Sequence, residues 1–169
     1  MNFIFPNANE KICLVKADKE NAKIRSGQRI SNDNSLAQKI MDELNIPFHQ
    51  SVIKLSQCSR NFVSNMDGPN ILYLSQTEGG FPRRGLILKE GDSVIEYPNL
   101  NYVDLVIDEE RLAKGFLQIY CHELGHVMMM NIWEHFLDRQ SPKQHVSMGI
   151  TDYPMAFFEG WGEHFQRLA

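Results

Sequence analysis

The sequence predicts an α+β fold, a small twisted mixed sheet with helices packed on it. Two observations predict it. Four short runs, Ser51 to Gln57, Asn70 to Gln76, Gly85 to Lys89 and Tyr102 to Ile107, are rich in Val, Ile, Leu and Tyr and bounded by Gly, Pro, Asn or Asp, the composition of strands. Between and after them lie segments with helical spacing and helix-start residues.

The elements follow in chain order. Residues 1–34 are expected to be an N-terminal extension or loop region, and the polar stretch Lys16 to Asn34 reads as a loose surface connection. Ser35 to Asn45 places Leu36, Ile40 and Leu44 at successive i+4 steps, with Asn32, Asp33 and Asn34 available as N-caps and Pro47 just beyond its end. After the last strand, Asp108 is a candidate N-cap, with Glu109 and Glu110 in a first turn where acidic side chains suit the helix dipole. Gly115 should divide a short turn from a main helix of Phe116 to about Trp133. Met128, Met129 and Met130 on that helix read as core. A final helix starts near Asp152, with Pro154 in its first turn, and contains AFFEGWGEHFQRL.

A chain of 169 residues is long enough to bury a core, and 43% hydrophobic with 22% charged residues is ordinary globular usage. The formal charge of -4 is uneven: residues 1–60 carry 9 basic and 6 acidic side chains, the remainder 8 and 15. In that acidic portion the one local basic pair is Arg83 with Arg84, so no nucleic-acid partner is expected. Cys13, Cys58 and Cys121 stand far apart without a CxxC pair, which argues against a thiolate zinc knuckle and a disulfide framework. Cys121 reads as a buried thiol. No signal-peptide pattern and no run of about 18 apolar residues appear, so no membrane span and a cytoplasmic location are expected.

Residues 122–126 read HELGH, inside the main helix. At about 100° per residue, His122 and His126 stand about 40° apart on one face, one turn apart in height, so both imidazoles can reach one Zn²⁺. Glu123 flanks that position and can take a proton from water activated by the metal. A tetrahedral catalytic zinc needs a third protein ligand. Met129 and Ile132 occupy positions where a longer HExxHxxGxxH motif would require other residues, and His135 points to the opposite face. His145, Asp138 and Asp152 are within reach along the chain but lack a helix to fix them. Glu159, 33 residues beyond His126, is favoured because it sits on the final helix and is followed by Gly160, expected to permit close approach to the first helix. Glu163 shares its face and could accept the free ring N–H of a ligand histidine.

HELGH followed by FFEGWGEHF resembles the gluzincin metallopeptidases, the group that includes thermolysin and the zinc aminopeptidases, over about residues 102–169. The resemblance implies a zinc peptidase acting on a peptide or protein substrate, with His122, His126 and Glu159 as metal ligands, Glu123 as catalytic glutamate and Glu163 orienting a histidine. Residues 35–169 would then form a zincin-like catalytic domain, with the metal cleft along an edge strand to which a peptide adds by backbone hydrogen bonds. The gap to Glu159 is longer than in the best-known gluzincins. The chain also ends ten residues past Glu159, before the C-terminal lobe that usually walls the cleft, so a further lobe or a partner chain is expected to complete it. Tyr153 and His145 are the candidates for stabilising the oxyanion. The rival expectation is a regulatory or interaction domain that binds zinc and cuts nothing. Glu123 argues against it, because a purely structural site has no need of a general base.

Overall fold

The computed structural model describes residues 12–19, 22–60, 70–115, 117–133 and 152–167. Its five strands are β1 (Ile12–Lys19), β2 (Arg25–Arg29), β3 (Asn70–Leu74), β4 (Phe81–Glu90) and β5 (Ser93–Leu105). Its five helices are α1 (Ser35–Leu44), α2 (Pro47–Arg60), α3 (Glu109–Ala113), α4 (Gln118–Ile132) and α5 (Tyr153–Arg167).

The strands close on themselves in the order β1-β2-β4-β5-β3 and back to β1, so the expected open twisted sheet is replaced by a closed barrel. Antiparallel pairs join β1 to β2 and β4 to β5, whereas β1/β3, β2/β4 and β3/β5 run parallel. Closure depends on a corner in β4. Phe81 to Arg84 pair with Asn101 to Asp104, the register shifts between Arg84 and Leu86, and Leu86 to Glu90 then pair with Ser93 to Tyr97. Gly85 sits at that shift with φ +86°, a left-handed conformation that favours glycine, and such a bulge bends and twists its strand. Beyond the bend β4 reaches β2, pairing Arg25 with Leu86 through Gln28 with Lys89, while the far end of β5 pairs with β3.

Two of the five strands come from residues 1–34, expected to be an N-terminal extension or loop region, and β2 lies wholly within the stretch Lys16 to Asn34 read as a loose connection. In β1, Cys13, Val15 and Ala17 face the lumen and Ile12 and Leu14 face the helices, a period-2 split that fits a strand buried on both sides. β2 reads RSGQR and looks like surface, yet Arg25 and Ser26 are buried, because Asp104 on β5 supplies a counter-ion for Arg25 at 3.3 Å. The lumen is filled by Val15, Ile71, Tyr73, Leu86, Leu88, Tyr97, Leu100 and Tyr102, and the Tyr73 hydroxyl donates to Ser26 O at 2.8 Å.

The run Ser51 to Gln57, expected as a strand, lies inside α2. His49, Val52, Ile53, Ser56, Ser59 and Arg60 are its buried positions, a spacing of three and four that only a helix provides. Pro47 follows the end of α1 as expected and also opens this second helix, where its missing N–H costs nothing. Three other helices, α1, α3 and α5, start at side-chain caps, whereas α4 starts after Leu117 without one. Asn34 Oδ1 accepts from Ala37 N at 3.1 Å, Asp108 Oδ1 from Arg111 N at 2.8 Å and Asp152 Oδ1 from Met155 N at 2.8 Å, each contact stabilising by about 1 kcal/mol.

On the outer face of the barrel, Leu72, Leu74, Val103 and Leu105 pack with Ile40, Leu44, Val52, Ile53, Tyr120, Leu124 and Phe165 from four helices. α4 is thus enclosed by the barrel, α2 and α5. Among the described residues, no helix is long and apolar enough to cross a membrane.

Candidate metal centre

α4 is buried on nearly all sides. Tyr120, Cys121, Leu124, Val127, Met128 and Met129 serve the core, as expected for these two methionines and for Cys121, whose thiol burial pushes up to about 12, while Met130 is half-buried. The polar residues on such a helix have to be held by neighbours. His122 and His126 face α5, where Glu159 meets them.

The Nε2 atoms of His122 and His126 are 3.0 Å apart, and Glu159 Oε2 lies 3.4 Å from the first and 3.7 Å from the second. These three residues form the one His/Cys/Asp/Glu cluster of metal-holding geometry among the described residues. Ligands at about 2.0 to 2.1 Å from a tetrahedral Zn²⁺ are separated from one another by about 3.3 Å, so a triangle of 3.0, 3.4 and 3.7 Å fits three corners and leaves the fourth for water. Two imidazole Nε2 atoms facing each other repel unless a proton or a cation lies between them.

Two close approaches bring the helices together. A Cβ on Gly162 would lie 2.8 Å from His122 Cε1, His122 Nε2 and His126 Cε1, and one on Gly125 would lie 2.9 Å from Phe165 Cδ2. Trp161 Nε1 locks the crossing by donating to Gly125 O at 2.8 Å. Gly160, expected to provide the approach, has nothing within 4 Å of its would-be Cβ; Gly162 does that work. Phe158 stacks on the His126 ring at 3.8 Å and 2°, fixing its plane.

Glu123 is buried beside the ligand triangle, close enough for His122 and Glu159 to act on its charge, and its Oε2 has no hydrogen-bond partner among the described residues. Burial, with the nearby charges of Glu159 and Asp104, pushes its carboxyl up to about 7 against the opposing pull of His122. Burial also acts to lower His122, but its hydrogen bond to Glu159 and the charges of Glu123, Glu159 and Glu163 outweigh that and leave it raised. A glutamate held near neutrality beside two histidines and a carboxylate is a common sign of acid–base work.

No family model, curated protein or solved structure matches the chain. The site therefore stands on its own geometry.

The remaining expected residues divide clearly. Glu163 Oε1 is 4.0 Å from His122 Nδ1, near but beyond hydrogen-bond length, and its other oxygen lies 3.9 Å from Arg167 Nε. Tyr153 is 83% exposed on the first turn of α5, and six residues of helix put it about 9 Å along the axis from Glu159. Asp152 caps α5. His145, Asp138 and His135 lie outside the described residues. Asp104 went unnoticed in the sequence because a lone acidic residue in a strand carries no motif. Gly162 was legible in principle, since a small residue three positions after Glu159 falls on the face turned toward the histidines.

Proposed function

We propose that the chain is a zinc-dependent peptidase of the gluzincin kind at the level of its site, though not of its sheet. The observation that carries this reading is the triangle of His122 Nε2, His126 Nε2 and Glu159 Oε2 with Glu123 beside it. Zn²⁺, when bound, supplies Lewis acidity and lowers the pKa of water toward about 7. His122 and His126 offer neutral nitrogens and Glu159 a charge, and the Phe158 stack keeps the His126 ring in the plane that ligation needs. Glu123 takes a proton from the attacking water and delivers it to the leaving amine nitrogen. A carboxyl poised near neutrality accepts and releases a proton with similar ease.

The expected edge strand survives only in part. β2 covers β4 along Leu86 to Lys89, and among the described residues no strand covers the other side of Phe81 to Arg84. That short stretch is where a peptide could pair.

The non-catalytic alternative draws support from the burial of Glu123, 6% exposed. One experiment separates the two. Glu123→Gln should retain about one zinc per chain and lose peptide hydrolysis by at least about a hundredfold. A mutant as active as wild type would end the peptidase reading, and a wild type that holds zinc and cuts no peptide would favour the regulatory one.

A further inference from the structure

A second charged cluster joins β2, β4 and β5. Asp104, fully buried, is shared there by two guanidiniums, Arg25 NH1 at 3.3 Å and Arg83 Nε at 3.1 Å, while the Ser75 hydroxyl donates to its other oxygen. A second carboxylate, Glu78, faces Arg83 NH2 from 3.9 Å on a side chain 63% exposed, too far for a hydrogen bond, so that buried nitrogen has no hydrogen-bond partner among the described residues. The Phe81 ring lies 4.9 Å from the guanidinium carbon, so the fork is held from below and by Asp104 from the side.

Its place relative to the metal centre follows from the strand register. Arg83 lies on Phe81 to Arg84, the stretch of β4 that, among the described residues, is paired on one side only. Across the ladder, Phe81 faces Asp104, which is near enough to Glu123 for its charge to act there. Arg84 faces Asn101, whose Nδ2 donates to Asn131 Oδ1 of α4 at 2.9 Å. Residues 81–84 therefore run one strand away from the Asn131 end of α4 and pair with the strand whose Asp104 acts on Glu123.

We propose that Arg83 is a specificity-determining residue that docks an acidic side chain of a bound peptide, its guanidinium taking that carboxylate where Glu78 now stands. This rests on the peptidase reading, because it assigns the substrate class of that site. A planar fork with a spare donor matches a carboxylate in two-point geometry, which a neutral amide does not reproduce.

The test is binding, read without turnover. The zinc-loaded chain is titrated by fluorescence anisotropy with labelled peptides that differ by a single Glu, Gln or Ala walked through each position. At one position Glu should bind at least about tenfold more tightly than Gln. Arg83→Gln should erase that difference with zinc content unchanged, Arg84→Gln should keep it, and Glu78→Gln, which removes the resident acid, should widen it. The proposal is overturned if no position prefers Glu over Gln, or if the preference survives Arg83→Gln. Should Arg83→Gln fail to fold, a preference left unchanged by Glu78→Gln overturns it equally. Peptides bound selectively and never cut would sink the peptidase reading alone.

Discussion

Two glycines on one helix, two residues apart, should respond to the same substitution in opposite ways. At Gly162 a methyl group would lie 2.8 Å from three imidazole atoms, and ordinary carbon contacts need about 3.5 Å, so rings or helix must yield by about 0.7 Å. Metal–ligand distances tolerate about 0.2 Å. Gly162→Ala should therefore weaken zinc binding by at least about tenfold and cost about 1 to 3 kcal/mol in overpacking. At Gly160 a methyl meets nothing within 4 Å. Gly160→Ala should raise stability by about 0.5 to 1 kcal/mol, from helix propensity and the unfolded chain's reduced freedom, and leave zinc affinity as it was. That gain corresponds to about 1 to 4 °C in Tm for a chain of this size. The assays are chelator competition for zinc and thermal melting of the metal-free protein. Gly162→Ala binding zinc as wild type does, or the two variants behaving alike, would refute the packing argument.

Other perturbations probe neighbouring parts of the account. In the metal-free chain Glu123 stands near 7 when folded against an ordinary 4.5, so the unfolded state loses its proton first as pH rises. Stability should fall through that window, by up to about 3 kcal/mol above it, and Glu123→Gln should remove the loss; urea unfolding at pH 4 and pH 8 checks this, and an equal mutant-to-wild-type gap at both pH values contradicts it. Asp104→Asn leaves Arg25 and Arg83 without their shared carboxylate and should cost about 3 to 5 kcal/mol in chemical denaturation, unlike an ordinary surface change. Glu163→Ala should weaken zinc binding by about tenfold, the low end for an orienting partner, given its 4.0 Å separation from His122 Nδ1.

What the sequence showed and hid divides along a physical line. Local signals were readable: Asn34 and Asp108 are among the caps their positions suggested, the last helix starts beside Asp152 as expected, and the i, i+4 histidines stand on one helix face opposite a glutamate from the last helix. Properties set by distant partners were not. β2 is polar and buried because Asp104, far along the chain, neutralises Arg25, and nothing within RSGQR reports that. Barrel closure depends on the register shift at Gly85, which decides which half of β4 meets β2, and strand composition alone is silent on closure. The run SVIKLSQ is β-branched enough to imitate a strand, and the packing of Val52, Ile53 and Ser56 against the barrel decides for helix. Gly162, unlike these, was readable from its i+3 spacing to Glu159, and it was overlooked for the adjacent Gly160.

The central claim is that His122, His126 and Glu159 together hold one zinc ion. The direct measurement is zinc stoichiometry and affinity, by chelator competition, for wild type, Glu159→Ala and the α5-cap variant Asp152→Ala. The predicted result is about one equivalent for wild type, a loss of at least about a hundredfold in affinity for Glu159→Ala, and for Asp152→Ala a stability loss of about 1 kcal/mol with zinc affinity kept. Zinc bound equally well without the Glu159 carboxylate, or stripped by Asp152→Ala instead, would contradict it.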